Sequence, residues 1–166
     1  RWLSALAASN QVALLEPWYS NATRSLVKTP KLYLADTGLC AFLCGLEGLP
    51  QTLSSPLAGA LWETLVFAEI RKRQRRRDGG WSLHFWRDRS KEVDFLAHRG
   101  GRFALADAKW TAHPTERDAA TLRKVAAELG PGLVTGMELV CRAGNPFPVG
   151  AGVRAVPLSE LPADLI

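Results

Sequence analysis

The sequence has few cysteines and histidines, and it contains no long uncharged run of apolar residues. Its three cysteines are an odd number without a CxxC pair, which is typical of reduced thiols in a cytoplasmic protein. Its three histidines are far apart in the sequence and lack the spacing of zinc ligands. No segment approaches the roughly 18 apolar residues of a membrane helix, so we expect no membrane span and no membrane partner.

Motifs that would mark a nucleotide-binding or serine-hydrolase site are also missing. No GxxxxGK[ST] sequence occurs, so we expect no ATP site in this chain. No GxSxG occurs either, which leaves a serine hydrolase without support. The opening RWLSALAASN is too short and too polar for a signal peptide, and because the first residue is Arg1 rather than Met we expect a fragment of a longer protein.

The positive charge of the chain is concentrated in one short segment. The formal net charge is +5, and six of the seven residues of RKRQRRR (71–77) are basic. Such a run favours a polyanionic partner, above all nucleic acid, and the predicted phosphate-binding residues are Arg73, Arg75, Arg76 and Arg77. A solvated helix end, where cations complement the helix dipole, explains the same run equally well.

Apolar periodicity divides the chain into a small N-terminal part and a larger α/β part. The Gly-, Pro- and Ser-rich stretch 45–56 is the predicted linker, which places residues 1–50 in one unit and residues 51–166 in the other. The larger part is predicted to run helix, three strands, helix, strand, with a last strand at the end, over residues 59–74, 81–87, 92–98, 102–110, 115–130, 132–144 and 152–158. A helix between strands implies a parallel crossover, so the expected fold is α/β with a mixed central sheet flanked by helices.

One carboxylate interrupts the apolar face of the first helix in this larger part. At about 100° per residue, Glu63 lies among Val66, Phe67 and Ile70. A carboxylate in such a place is costly unless it is paired, hydrogen-bonded or bound to a metal. Glu63 is therefore a candidate site residue.

A second acid lies in the middle strand of the predicted sheet. In EVDFLAH (92–98), strict alternation predicts that Val93 and Phe95 share one face and that Glu92 and Asp94 lie on the other. Asp94 is central on its face and is the second candidate. A solvated acid next to the charged loop that precedes it remains an open alternative.

An acid and a base stand together at the end of the next strand. In RFALADAKW (102–110), alternation places Asp107 and Lys109 on the same face as Phe103 and Leu105. The pair is either an ordinary ion pair at a strand end or part of a site.

These carboxylates and the lysine could converge at one end of the sheet. Carboxylates gathered around one point repel one another and attract a hard cation such as Mg²⁺ or Mn²⁺, which prefers oxygen ligands. A nearby ammonium could position the attacking water and offset charge that develops on a phosphate. This is what metal-assisted phosphodiester hydrolysis requires. The predicted metal ligands are Asp94, Asp107 and Glu63, and Lys109 is predicted to assist the nucleophile.

Glu63 in a helix, Asp94 in a strand and the sequence Asp107-Ala108-Lys109 that follows resemble the motif of the PD-(D/E)XK nuclease superfamily. Val93 stands where the motif has proline, a departure that the superfamily commonly shows. The resemblance implies a restriction-endonuclease-like αβββαβ core, catalytic roles for the four residues and a Mg²⁺ or Mn²⁺ cofactor.

A narrower resemblance covers nearly the whole chain. The segments NATRSLVKTPKLYLADTGLCAFLCG, GALWETLVFAEIRK and EVDFLAHRGGRFALADAKW resemble a domain of unknown function, family 4143, that follows the AAA+ ATPase module of many prokaryotic proteins. The resemblance implies that the first part of this chain is the end of a winged-helix-like region. It also implies an AAA+ ATPase module as a partner elsewhere in the full-length protein.

Two functions from different classes follow. The first is metal-dependent cleavage or binding of DNA by a nuclease-like domain. The second is a non-catalytic interaction or regulatory module with a degenerate nuclease fold. In that module the four residues would form a buried polar network in which Glu63 pairs with Lys109.

Overall fold

A computed structural model describes residues 2–19, 29–76, 80–88, 90–130, 132–162 and 165 of the chain. The N-terminal part forms three short helices and a two-stranded antiparallel sheet. In chain order these are α1 (Trp2–Ala8), β1 (Val12–Leu15), β2 (Lys31–Leu34), α2 (Thr37–Leu43) and α3 (Leu49–Ser54). Helix α3 lies inside the stretch predicted as a linker, and Pro50 fits its first turn because that position needs no amide hydrogen. The division of the chain at residue 50 remains a prediction.

The larger part follows the predicted order of helix, three strands, helix and strand. Its elements are α4 (Ala58–Arg76), β3 (Ser82–Arg87), β4 (Glu92–Arg99), β5 (Arg102–Ala108), α5 (Glu116–Leu129), β6 (Val134–Cys141), β7 (Phe147–Pro148), β8 (Val153–Pro157) and a 3₁₀ turn (Leu158–Glu160). The strands form one six-stranded sheet in the order β3-β4-β5-β6-β8-β7. Strands β3, β4 and β5 are antiparallel, whereas β5 and β6 run parallel across the α5 crossover. The predicted α/β class with a mixed sheet is confirmed.

The sheet is covered by one long helix on each face. Val66, Phe67 and Ile70 of α4 belong to one buried cluster with Phe95 and Ala97 of the sheet. The opposite face packs against α5 through a second buried cluster. None of the helices in the described part of the chain is both long and apolar enough to cross a membrane.

A β-bulge in β4 changes which residues share a face. His84 of β3 pairs with Leu96 and Trp86 pairs with Val93, so three residue steps of β4 oppose two of β3. Val93 consequently belongs to the buried cluster beside α5, whereas Phe95 belongs to the one beside α4. The prediction that Val93 and Phe95 share a face is therefore wrong, because strict alternation does not allow for the extra residue.

The turn between β4 and β5 is a Gly-Gly hairpin. Both Gly100 and Gly101 have positive φ, at 55° and 79°. A two-residue hairpin of this kind needs left-handed backbone at both central positions, which glycine adopts without steric cost. The hairpin brings the C-terminal end of β5 back beside the start of β4, where Asp94 lies.

Candidate functional site

The structure brings two of the predicted acids into direct contact through the backbone. The amide of Asp94 donates a hydrogen bond to Oδ1 of Asp107 at 3.0 Å. The amide of Ala108 in turn donates to Oδ2 of Asp94 at 3.0 Å. These reciprocal bonds lie just beyond Phe95 and Ala106, the last paired residues of β4 and β5, so they link the two strands where the regular pairing ends.

Lys109 lies beside Asp107, as the spacing of the two residues predicts. Its Nζ is 3.4 Å from Oδ2 of Asp107, whose side chain is buried. Burial raises the pKa of Asp107, and the charge of Lys109 opposes that rise. For Lys109, burial alone would lower the pKa, but the charges of Asp107 and Asp94 raise it. The ammonium is thus held in its charged form at the end of β5.

Glu63 contacts a lysine that the sequence pattern did not connect with the site. The Nζ of Lys31, at the start of β2, donates to Oε1 of Glu63 at 2.7 Å and to Oδ1 of Asp94 at 3.0 Å. It also forms an ion pair with Glu92. The prediction that a polar network would pair Glu63 with Lys109 is wrong, because Lys31 reaches Glu63 from the N-terminal sheet.

Tyr33 holds Glu63 from the same strand as Lys31. Its hydroxyl donates to Oε1 of Glu63 at 2.5 Å, and its ring stacks on Phe67 with centroids 4.1 Å apart. Burial raises the pKa of Tyr33, and the neighbouring Glu63 carboxylate raises it further. The sequence contains one signal that β2 contributes to the site. Period-two alternation places Lys31 and Tyr33 on one face of an otherwise apolar strand.

Glu92 is the second residue of the site that the sequence pattern did not single out. Alternation places it on the same face as Asp94 but indicates no role for it. Its carboxylate forms ion pairs with Lys31 and with Arg87 of β3. Burial tends to raise the pKa of Glu92, but the hydrogen bonds from Arg87 and Lys31 outweigh it and lower the pKa.

Glu63, Glu92 and Asp94 together form an acidic cluster that could hold a metal ion. One carboxylate oxygen from each lies within 4.8 Å of the others. Among the residues that the structure describes, Asp107 is not a member of this group. An all-oxygen donor set suits Mg²⁺ or Mn²⁺ better than zinc or copper. The donor chemistry therefore fits the predicted cofactor, with Glu92 in the place that the prediction gave to Asp107.

Burial and neighbouring acids disfavour the charged form of Asp94. Burial raises its pKa to about 7, and the charges of Asp107 and Glu63 add to that effect. The charge of Lys31 opposes it. The pKa of Lys31 is itself raised, because the charges of Asp94 and Glu63 outweigh the lowering that burial causes. The negative charge around Asp94 thus exceeds what one lysine compensates.

The predicted arginines lie at the far end of α4, and two of them have partners within the chain. The guanidinium of Arg73 donates to the carbonyl of Leu158 at 3.2 Å. That of Arg75 donates to Oδ1 of Asn10 at 3.3 Å. Arg76 is exposed, and Arg77 lies outside the described residues. A role of these arginines in phosphate binding stays a prediction.

Fold and site define an α/β domain in which a helix and a bulged strand carry clustered acids beside two lysines. Residues 58–161 match the sequence profile of a domain of unknown function, DUF4143. The chain belongs to that family. Residues 1–49 match the profile of a second domain of unknown function, DUF8612.

Two curated relatives resemble the chain over nearly its full length. They are uncharacterized proteins of Mycobacterium bovis and Mycobacterium tuberculosis, each 26% identical over 162 residues. The matches cover 97% of this chain but 35% of each relative, so the chain spans about a third of the length of these proteins. No solved structure matches the chain.

Proposed function

We propose that this chain is a PD-(D/E)XK-type nuclease domain that cleaves DNA phosphodiester bonds with Mg²⁺ or Mn²⁺. The full-length protein would also carry an AAA+ ATPase module. The greater length of the relatives leaves room for such a module. Membership of the DUF4143 family is compatible with the proposal but assigns no activity.

The interlocked Asp94 and Asp107 carry the proposal. Asp107 accepts a hydrogen bond from the amide of Asp94, and Asp94 accepts one from the amide of Ala108, both at 3.0 Å. Both side chains are thereby fixed at the strand ends beside Lys109. Lys109 pairs with Asp107 and Lys31 pairs with Asp94, so two acid–base pairs meet at one point, which a single ion pair at a strand end does not require.

Each residue of the site has a chemical role in this proposal. Asp94, Glu63 and Glu92 would hold the metal ion, and Asp107 would fix the Asp94 segment and Lys109 beside it. A bound Mg²⁺ or Mn²⁺ supplies a Lewis acid and lowers the pKa of a coordinated water. Lys109, held charged 3.4 Å from Asp107, is placed to orient the attacking water and to offset negative charge on the phosphate.

A second candidate function, the non-catalytic module, is favoured by the contacts of Lys31. One ammonium already contacts Glu63, Glu92 and Asp94. A buried network of this kind fixes the N-terminal sheet against α4 and β4 without any metal. Such a module would bind its partner equally well in the presence of a chelator.

A plasmid-nicking assay with the 166-residue chain tests the proposal. We expect weak nicking of supercoiled DNA with Mn²⁺, none with EDTA, and a loss of at least about a hundredfold in Asp94→Asn and Lys109→Met. Asp88→Asn is the matched control, because Asp88 contacts Lys124 outside the acidic cluster.

The outcomes separate the two candidates. Nicking that survives both EDTA and Asp94→Asn would come from a contaminant and would contradict the proposal. No nicking by wild type at any metal concentration, with all variants folded, would favour the non-catalytic module.

A further inference from the structure

Lys31 occupies the position in which the acidic cluster would hold a metal ion. Its Nζ lies 2.7 Å from Glu63 and 3.0 Å from Asp94, and it also contacts Glu92. The side chain of Lys31 is only 12% exposed. The ammonium therefore contacts the same three carboxylates whose oxygens converge on one point.

A divalent ion would balance this cluster better than Lys31 does. Counted as ionised, the three carboxylates carry three negative charges, and Lys31 and Arg87 contribute two positive ones. The set thus retains one negative charge. Replacing the ammonium with a divalent ion, while Arg87 stays in its ion pair, brings the sum to zero.

The lysine can leave the cluster without unfolding the strand that carries it. Tyr33, two residues further along β2, is buried and stacks on Phe67 of α4. Ala13 and Leu15 of β1 are buried in the same hydrophobic cluster as Tyr33 and Phe67. These contacts anchor the small sheet, so only the flexible four-carbon stem of Lys31 needs to rotate.

We propose that Lys31 is a tethered cation that competes with the divalent metal ion for the acidic cluster. The site then has a lysine-filled state and a metal-filled state, and the N-terminal part of the chain controls metal occupancy. This inference rests on the proposed metal site and adds a means of regulating it.

Competition of this kind has a defined effect on affinity. The apparent dissociation constant equals the intrinsic one divided by the fraction of molecules in the metal-competent state. If the lysine-filled state makes up about 90% or more of the apo-protein, removal of the ammonium should tighten metal binding by about tenfold or more.

The test is isothermal titration calorimetry, in which Mn²⁺ alone is added to the 166-residue chain. We expect Lys31→Met to bind Mn²⁺ at least about tenfold more tightly than wild type. Lys72→Met should match wild type, because Lys72 is 60% exposed and pairs with Glu69 away from the cluster. The double variant Lys31→Met/Asp94→Asn should lose the gain, which would locate the ion at the cluster.

The results distinguish this inference from the proposed function. Equal affinity of wild type and Lys31→Met would overturn the competition but leave the metal site intact. Absence of binding in both folded proteins would overturn the proposed function and the competition with it.

Amine labelling of wild type provides a readout that does not depend on the folding of a variant. Saturating Mn²⁺ should raise the rate at which Lys31 is acetylated, relative to Lys72, by about fivefold or more, because the displaced ammonium reaches solvent. An unchanged Lys31 rate at metal saturation would overturn the inference. A Lys31→Met variant that folds only when Mn²⁺ is added would support it.

Discussion

Replacing Lys31 with methionine should destabilise the apo-protein far more than neutralising its partner Glu63. Methionine keeps most of the volume of the stem, and the ammonium that it removes lies 5.5 Å from the centroid of the Phe85 ring. The change leaves three clustered carboxylates, of which Glu92 keeps its ion pair with Arg87. Glu63→Gln, in contrast, leaves Lys31 with two carboxylates and retains an oxygen that accepts from Tyr33.

The structure sets the size of this asymmetry. Removing one partner of a fully buried charge pair costs about 3 to 5 kcal/mol. The acids here are 14% to 28% exposed, and partial protonation of Asp94 relieves some repulsion, so we take the lower end, about 3 kcal/mol. That loss corresponds to a fall in Tm of about 6 to 12 °C for a chain of this size. For Glu63→Gln, the weakening of two hydrogen bonds should cost about 1 kcal/mol.

The assay is urea unfolding at neutral pH in EDTA, with Lys72→Met as the control for removal of a lysine. The Lys72–Glu69 pair is on the surface, and breaking it should cost less than about 0.5 kcal/mol. The reasoning fails if Lys31→Met behaves like Lys72→Met. It also fails if Glu63→Gln costs as much as Lys31→Met, since the cluster would then contain no excess of negative charge.

Two further expectations concern the arginine run and a histidine of β3. If the end of α4 binds DNA phosphates, replacing Arg75 and Arg76 with serine should lower the slope of log affinity against log salt concentration. The expected decrease, measured by fluorescence titration with DNA, is about 0.9 for each phosphate that is no longer neutralised. An unchanged slope would mean that the run is a solvated helix end. Burial lowers the pKa of His84, with a further lowering by His98 that Glu16 opposes. The folded chain therefore binds a proton less readily than the unfolded chain. The contribution of His84 to stability is complete above an unfolded pKa of about 6.5 and is lost as pH falls below that value. His84→Phe should flatten the fall in the free energy of unfolding between about pH 7 and pH 5, whereas a change at the exposed His113 should not. If His84→Phe keeps the pH dependence of the wild type, His84 is not the group that causes this fall.

The element order of the larger part could be predicted because its signals are local. The apolar stripe of α4, the alternation in β5 and the Gly-Gly turn each depend on residues that are close in the sequence. The alternation places Phe103 and Leu105 on one face, and the structure confirms it by burying both in the cluster beside α5. A parallel β5–β6 pair then follows from the intervening helix.

The composition of the site could be predicted only in part, because two of its features depend on distant contacts. The β4 bulge is set by pairing with β3, and the consecutive apolar residues Phe95, Leu96 and Ala97 break the alternation without showing where the extra residue lies. Lys31 is 32 residues from Glu63 and 63 from Asp94, so no spacing rule connects them. Glu92 and Asp94 share a face by simple alternation, but the partner that makes Glu92 part of the site is Lys31.

The charge of the acidic cluster explains why one residue pattern is compatible with two functions. Three carboxylate oxygens within 4.8 Å repel one another, so the folded state needs a cation among them. A metal ion and an ammonium both meet that need, and the acids alone do not discriminate between an enzyme and an inert network. The charges of the two cations differ, since with all three acids ionised Lys31 and Arg87 leave one negative charge, whereas a divalent ion together with Arg87 leaves none. We therefore expect a metal ion to compete with Lys31 for the cluster, and the affinity of Lys31→Met for Mn²⁺ measures how strongly the ammonium opposes it.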